Sequence, residues 1–330
     1  MKIKTSLLFA LFSAITFSAP SLAETAHLPY AKGYFGEPLS NLSISNLAAF
    51  ERGALLFIKS WSVAESNPKN ASSCVSCHSS PMPGGGGMSS QALVEVSLTN
   101  QIIQKTKKVE ALSHADTETR RTPPLFGIGL LEFSIQREAN GKARPIFGAL
   151  ANEDSLRGFV IKAFSEELGV YSSAECAKKN KIANANYCIP QISEGEINDV
   201  TLYLRFTAAP PQSKLAKNHA GRSIFVNVGC ASCHTPSIST TNDAPPPLRG
   251  VRIEAYTDLK THNIGGMAKI RTTPLWALKS YGPPYLHDAS ANSIKDAILK
   301  HNGEAVESKS RFLSLSEQAS SSLLIFLEGL

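Results

Sequence analysis

Two short cysteine and histidine motifs constrain this 330-residue chain more than any other feature. Each has two cysteines separated by two residues and a histidine directly after the second: Cys74, Cys77 and His78, then Cys230, Cys233 and His234. This C-x-x-C-H pattern is typical of covalent c-type haem attachment, because two thioethers on one turn hold the porphyrin edge and the imidazole ligates the iron. A single copy could be half of a zinc or redox site. Two copies predict two covalently bound haem c groups, with His78 and His234 as proximal iron ligands.

Residues 1–23 are typical of a secretory signal peptide. Lys2 and Lys4 precede an apolar run over residues 7–17, and small residues end at Ala23, after which we expect cleavage. The run is too short to span a bilayer and no later segment is long enough, so we expect a periplasmic protein without a stable membrane span. An uncleaved N-terminal anchor is the alternative.

The charge of the chain is modest. Loss of the signal, which holds two lysines and no acidic residue, lowers the formal net charge from +6 to +4. So small an excess gives no argument for a nucleic-acid partner. It fits docking of an acidic redox partner, although charge alone does not establish one.

Cys176 and Cys188 are the two cysteines outside the motifs. In an oxidising compartment we expect them to form a disulfide that closes a short loop. A redox-active thiol pair is the alternative, which their spacing disfavours because it is not C-x-x-C.

A second repeated string indicates an internal duplication. Arg121-Thr-Pro-Pro-Leu-Phe126 begins 43 residues after His78, and Arg271-Thr-Thr-Pro-Leu-Trp276 begins 37 residues after His234. Two haem motifs followed at similar distances by similar strings predict two tandem class I cytochrome c-like domains, each with one haem.

The boundary between the two domains is expected at Pro210 and Pro211, because prolines end a helix. The N-terminal haem domain would cover residues 24–210 and the C-terminal one residues 211–330.

The apolar residues predict a mainly α fold with few strands. Helical spacing is found in four groups: Phe50, Ala54, Phe57 and Ile58; Leu156, Phe159, Val160 and Phe164; residues 197–206; and Ala319, Leu323, Phe326, Leu327 and Leu330. The last helix is expected to begin at about Ser316, with a capping box made by Ser314 and Glu317.

The distal face of the second haem has four candidate ligands downstream of the motif: His262, Met267, His287 and His301. His301 shares a predicted helical face with Ile294, Ala297 and Ile298, and Ser293 is the expected N-cap. We therefore predict His301 as a metal ligand. The alternative is a histidine that sits favourably at a helix C-terminus.

Several segments of the second half resemble the di-haem oxidoreductase branch of the bacterial di-haem cytochrome c peroxidase superfamily: Tyr256-Thr-Asp-Leu, His262-Asn-Ile-Gly, Arg271-Thr-Thr-Pro-Leu-Trp276, Tyr285-Leu-His-Asp288 and residues 297–305. Residues 121–132 are similar to the first half of that branch. The resemblance implies a periplasmic enzyme in which one haem relays electrons and the other reacts with hydrogen peroxide or another small oxidant. The peroxidatic haem would be the one on Cys74 and Cys77. Electrons would enter at the other haem from a small periplasmic donor such as a cytochrome c or cupredoxin.

The same resemblance implies three catalytic candidates, His114, Arg121 and Glu132. His114 stands seven residues before Arg121, where many of these peroxidases carry a removable histidine ligand. If His114 is instead a solvated histidine, the first haem is permanently five-coordinate; Met82 and Met88 are weaker ligand candidates. Glu132 ends the string that Arg121 begins, and its carboxylate could move a proton during O–O cleavage. An ordinary paired glutamate is the alternative.

The chain also departs from the peroxidases. Their aromatic-Asp-Gly-Arg segment is Ile135-Gln-Arg-Glu138 here, and Trp276 is either a substitute for their electron-transfer tryptophan or a core residue. Thr122 replaces the asparagine expected at their calcium position, so calcium is possible but unsupported. Two other functions stay open: peroxide-dependent oxidation of a specific protein or organic substrate, and a di-haem electron-transfer cytochrome without peroxidase activity.

Overall fold

The computed structural model describes residues 29–62, 70–87, 93–97, 117–134, 144–183, 188–211, 213, 220–265 and 269–330. The predicted signal peptide, His114, Met88, Met267 and residues 135–138 lie outside the described residues, so predictions about them stay predictions. In the part of the chain that the structure describes, no helix is long and apolar enough to cross a bilayer.

The described residues form helices joined by long irregular segments, as the sequence predicts. The helices are α1 (Ile44–Ile58), α2 (Ile128–Glu132), α3 (Leu156–Lys162), α4 (Ser173–Ala183), α5 (Glu194–Phe206), α6 (Gly221–Asn227), α7 (Leu278–Tyr281), α8 (Ile294–Lys300), α9 (Val306–Leu313) and α10 (Glu317–Gly329). Helix α3 continues as a π-helical turn over Ala163–Glu167. The mainly α class is therefore confirmed.

Within the described ranges, strands occur as three antiparallel pairs: β1 (Leu93–Ser97) with β2 (Thr117–Arg121), β3 (Ile238–Ser239) with β4 (Arg252–Ile253), and β5 (Thr261–His262) with β6 (Ile270–Arg271). Both arginines of the repeated string therefore end a strand. Arg121 lies opposite Leu93, and Arg271 lies opposite Thr261.

Serine hydroxyls fix where several helices begin. Ser43 accepts the Asn46 amide at the start of α1, and Ser193 forms a full capping box with Glu196 at the start of α5. The prediction that Ser314 and Glu317 form a capping box at the start of α10 is wrong. Ser316 is the N-cap of α10, whereas the Ser314 hydroxyl donates to the Arg311 carbonyl at the end of α9.

The same helix crossing occurs in both halves of the chain. Helix α1, before the first motif, packs on α5, and α6, before the second motif, packs on α10. A Cβ at Gly53 would lie 2.0 Å from the Asp199 carbonyl oxygen, and one at Gly221 would lie 2.2 Å from that of Ser322. Only glycine permits so close an approach. The repeat supports the predicted duplication at the level of local packing.

An aromatic residue follows each of these glycines by four positions and fills the corner of the crossing. The Phe57 ring lies 5.3 Å from that of Tyr203, and the Phe225 ring lies 5.7 Å from that of Phe326. All four side chains are buried. Of the predicted α1 stripe, Phe50 and Phe57 are buried as expected, but Ile58, the last residue of the helix, is 48% exposed.

The apolar core consists of two clusters. The smaller one lies within the C-terminal half and joins α6, α9 and α10 through residues that include Phe225, Phe312 and Phe326. The larger one joins the N-terminal half to residues beyond Pro211, among them Trp276 and Tyr281. The segment 244–281 therefore packs on both halves, and Trp276 is a core residue.

Candidate functional site: two cysteine and histidine turns

The two C-x-x-C-H motifs adopt the same local structure. Each forms a short 3₁₀ turn, over Cys74–Ser76 and Cys230–Ser232. In each turn the histidine amide donates to the carbonyl of the first cysteine at 2.9 Å. Two thiols and an imidazole are thus held together on one turn, as covalent haem attachment requires.

The four motif cysteines are not disulfide-bonded and are half-buried. Burial raises the pKa of Cys74 to about 12 and that of Cys230 to about 11. These groups are therefore thiols at neutral pH, which argues against a low-pKa redox pair.

Both motif histidines are fixed through Nδ1. His78 Nδ1 lies 3.1 Å from the Gly85 carbonyl oxygen, and His234 Nδ1 lies 3.0 Å from that of Tyr256. When Nδ1 donates to a carbonyl, the ring orientation is set and Nε2 keeps its lone pair for a metal. Burial lowers the pKa of each histidine to about 4, so both rings are neutral and able to ligate iron.

The two acceptor carbonyls are held by their own loops. Gly85 lies in a buried glycine run closed by two reciprocal 2.8 Å bonds between Ser80 and Gly86, so this run is a tight loop. Tyr256 has a φ of 52°, a strained value for a bulky residue. The next two amides, of Thr257 and Asp258, donate back to the motif segment at 3.0 and 2.9 Å.

His301 is placed as the sequence predicts, directly after α8, whose N-cap is Ser293. Its Nδ1 lies 2.6 Å from the Ala297 carbonyl oxygen, the same pattern as in the two motif histidines. Burial and the Tyr256 hydrogen bond have the largest effects on the pKa of His234. The charge of His301 has the next largest effect and lowers that pKa, so the two histidines are near neighbours.

His262 is a poor competitor for the same role. Its Nε2 lies 2.9 Å from an Asp258 carboxylate oxygen, and its Nδ1 lies 3.0 Å from one of Glu304. With both ring nitrogens bound to carboxylates, neither is left for iron.

The residues present fit two haem groups. Each turn offers two thiols and one imidazole whose Nδ1 is bound to a backbone carbonyl. In addition, four buried donors have no partner among the described residues: Trp61 Nε1, Arg121 Nε, Arg144 Nε and Tyr281 Oη. Haem propionates are acceptors of the kind these donors lack.

Glu132 forms an ion pair with Arg205. Arg205 Nε donates to one carboxylate oxygen at 2.8 Å and Nη2 donates to the other at 3.1 Å, while the Leu156 amide donates to the carboxylate at 3.1 Å. The carboxylate thus holds together the ends of α2, α3 and α5. This contact is the paired state that we gave as the alternative to catalysis, and the proton-transfer role of Glu132 stays a prediction.

Arg121 lies at the boundary between the two halves. Its backbone amide donates to the His287 carbonyl at 2.7 Å, and its Nη2 donates to the carbonyls of Tyr281 and Gly282 at 3.3 and 3.0 Å. Met82, one of the weaker ligand candidates, is 39% exposed. Among the described residues no group of three or more histidine, cysteine or acidic side chains could hold a metal ion.

The predicted disulfide between Cys176 and Cys188 is present. It joins the middle of α4 to the segment before α5, with a sequence separation of 12 residues.

Sequence reasoning missed two kinds of site residue. The first is the carbonyl acceptors Gly85 and Tyr256, although Tyr256 opens one of the segments that carry the family resemblance. The second is the unpartnered donors, such as Arg144 and Tyr281, which no motif marks.

Comparison with known proteins supports the resemblance. Residues 180–330 match the model of a family described as "Di-haem oxidoreductase, putative peroxidase". The match confirms, for this part of the chain, the resemblance that the motifs indicate. No curated protein matches the chain.

Two solved structures are similar to the chain. The first, "Kuenenia stuttgartiensis Hydrazine Synthase Pressurized with 20 bar Xenon", is 16% identical, with 98% of this chain and 100% of that chain covered and a TM-score of 0.51. The second, "Crystal structure of a MauG-like protein associated with microbial copper homeostasis", is 15% identical, with coverages of 91% and 94% and a TM-score of 0.45. At 16% identity, the first likeness indicates a shared fold and nothing further.

Proposed function

From the match of residues 180–330 to the di-haem oxidoreductase family, we propose that this chain is a periplasmic di-haem c-type oxidoreductase that reduces hydrogen peroxide. When bound, haem iron supplies a centre that takes up and releases single electrons. Cys230, Cys233 and His234 would hold the haem that takes up electrons from the donor, and Cys74, Cys77 and His78 would hold the haem that supplies electrons to peroxide. Two electrons and two protons convert one hydrogen peroxide into two waters, so the chain must deliver both.

The observation that carries this proposal is an asymmetry between the two histidine turns. His234 has a second histidine, His301, close enough to shift its pKa, and that histidine keeps an Nε2 available for iron. Among the described residues, no titratable side chain contributes to the pKa of His78. A face closed by a second imidazole suits electron transfer, whereas an open face admits a small oxidant.

The chain's own residues set the properties of each centre. The carbonyls of Gly85 and Tyr256 orient the proximal imidazoles and make them more basic ligands. His234 and His301 would together give the haem on Cys230 and Cys233 a lower potential than a histidine and methionine pair would, because the identity of the ligands sets the scale. We expect the electron donor, a small periplasmic cytochrome c or cupredoxin, to match that lower potential.

Electron paramagnetic resonance of the purified protein tests the proposal. Spectra are recorded fully oxidised and again after addition of one electron per molecule, with covalent haem counted by mass spectrometry. A high-spin ferric signal in either state shows an iron with an open face, and peroxide turnover with a reduced donor should follow. Low-spin signals alone in both states, with no turnover, would replace the proposal with a di-haem electron-transfer cytochrome.

Replacement of His301 tests the assignment of the closed face. We expect His301→Gly to convert the low-spin signal of the haem on Cys230 and Cys233 to high spin, because its sixth ligand is lost. His262→Gln is the matched control: this histidine lies in the same region, but its two nitrogens are bound to carboxylates. An unchanged spin state in His301→Gly, or the same loss in His262→Gln, would remove His301 as the ligand.

A further inference from the structure

Three arginines lie at the boundary between the halves of the chain, and the hydrogen bonds that their side chains donate across it to described residues end on backbone carbonyls. Arg121 bonds to the carbonyls of Tyr281 and Gly282, and Arg144 Nη2 bonds to that of Asp258 at 3.1 Å. Arg271 lies in the second half of the chain and donates to the first: its Nε bonds to the Gly148 carbonyl at 3.2 Å. We call Arg121, Arg144 and Arg271 the boundary arginines.

The charges of the boundary arginines are not balanced within the described residues. None of the ion pairs found there includes any of the three. Burial lowers the pKa of Arg121, and it lowers that of Arg271 to about 10. A carbonyl oxygen accepts a hydrogen bond but cannot neutralise a guanidinium. A desolvated arginine of this kind is costly unless an anion lies close enough to balance its charge.

One place at the boundary has the donors for such an anion. Arg121 Nε and Tyr281 Oη are both buried and have no partner among the described residues, and Tyr281 is only 3% exposed. The charge of Arg121 acts on the pKa of Tyr281, so the two groups are neighbours. Arg121 Nη2 also donates to the Tyr281 carbonyl at 3.3 Å. A charged donor and a hydroxyl donor suit the two oxygens of a carboxylate.

The segment that begins at Arg121 runs along the first histidine turn. The Leu125 amide donates to the Gly84 carbonyl at 2.9 Å, and a Cβ at Gly86 would lie 3.2 Å from the Thr122 carbonyl. The intervening Gly85 carbonyl holds His78. Arg121 is therefore tied to the turn that carries Cys74 and Cys77.

We propose that Arg121 and Tyr281 together bind a carboxylate, which is a propionate of the haem on Cys74 and Cys77. The inference rests on the proposed di-haem function and deepens it. Because Arg121 comes before Pro211 and Tyr281 after it, one propionate is held by both halves of the chain. Arg144 stands in the corresponding place for the other haem, since its acceptor residue, Asp258, donates its amide to the Cys233 carbonyl.

The experiment uses the purified holoprotein and two variants, Arg121→Gln and Tyr281→Phe. Arg249→Gln is the control, because Arg249 is exposed and its Nε also donates to a backbone carbonyl. Mass spectrometry counts covalent haem, resonance Raman spectroscopy records the propionate bending bands, and a spectroelectrochemical titration gives both midpoint potentials.

We expect both variants to shift the propionate bands of one haem and Arg249→Gln to shift none. Arg121→Gln should also lower the midpoint potential of that haem alone, because a nearby positive charge destabilises the oxidised iron. Tyr281→Phe keeps the charge and the volume, so it isolates the hydrogen bond even if Arg121→Gln does not fold.

The other outcomes distinguish a failure of the proposed function from a failure of this inference. Absence of covalent haem from the wild-type protein would overturn the proposed function itself. Two haems with propionate bands unchanged in both variants would overturn only this inference. A free carboxylate is the other source of the same chemistry: if added acetate shifted the wild-type spectrum but not that of Arg121→Gln, with propionate bands alike in the two, the propionate assignment would be wrong.

Discussion

The pair formed by Glu132 and Arg205 gives the sharpest prediction from this structure. The two side chains are 10% and 20% exposed, and Arg205 contacts both carboxylate oxygens. The same carboxylate accepts the Leu156 amide at the first turn of α3. Glu132→Gln keeps the size of the side chain and an acceptor for Leu156, but it removes the negative charge and leaves Arg205 without a counter-ion.

The cost follows from these contacts. A hydrogen bond to a charged partner contributes about 1.5–3 kcal/mol, and removal of one member of a fully buried ion pair costs about 3–5 kcal/mol. Because Arg205 is partly exposed, solvent recovers some of this energy. We therefore expect Glu132→Gln to lower the free energy of unfolding by about 2 kcal/mol, which for a folding unit of ordinary size lowers Tm by about 4–8 °C.

Thermal unfolding of the holoprotein followed by circular dichroism measures this loss. Arg205→Gln and the double variant complete a double-mutant cycle, in which we expect the double variant to lose less than the sum of the single ones. Additive losses, or an unchanged Tm in Glu132→Gln, would refute the assignment of the pair as a structural clamp.

The same variants examine the predicted catalytic role of Glu132. If the carboxylate only clamps three helices, both single variants should reduce peroxide turnover to the same extent at a temperature where each is folded. General acid–base catalysis contributes about 10²–10⁴-fold to a rate. A loss of that size in Glu132→Gln but not in Arg205→Gln would show that Glu132 also transfers protons.

Two further predictions concern stability. Replacement of both Cys176 and Cys188 by serine should cost about 3 kcal/mol in a urea titration, because the bridge closes a loop of 12 residues, and haem content should not change; an unaltered midpoint would contradict this. The His262 and Glu304 contact should stabilise the fold most between about pH 4.5 and 6.5. The pKa of Glu304 is lowered from 4.5 to about 2, mainly by His262, so its contribution is lost as pH falls through that range, whereas the raised pKa of His262 makes its contribution fade as pH rises above 6.5. Comparison of wild type with His262→Gln across pH should give a Tm difference that peaks in this window, and a flat difference would be evidence against it.

The helices could be predicted because their signals are local. The spacing of Leu323, Phe326 and Leu327 identifies the buried face of α10, since it repeats with the helical period. The predictions were wrong at the start of α10, where the capping residue was misassigned. Ser314 and Ser316 are both plausible caps in sequence, and the last turn of α9 decides between them by accepting the Ser314 hydroxyl.

The candidate site likewise has residues that the sequence predicts and residues that it does not. Two cysteines three positions apart, with a histidine directly after the second, lie on one turn whatever the rest of the chain does, so the sequence alone predicts both turns. The place of His301 directly after α8 was predictable because this histidine continues a helical face, and its role as an iron ligand stays a prediction. The carbonyls of Gly85 and Tyr256 were not, because every residue has a carbonyl, and only the tertiary path of the chain selects the one that meets an imidazole.

The boundary arginines show what a duplicated sequence leaves open. Arg121 and Arg271 begin the same string. In the structure each donates across the boundary, Arg121 to residues 281 and 282 and Arg271 to residue 148. Two equivalent segments that exchange contacts in this way join the halves through charged groups rather than through apolar surface alone. The halves therefore share their buried cations, and a change of charge near one haem should be felt by residues that the sequence assigns to the other domain.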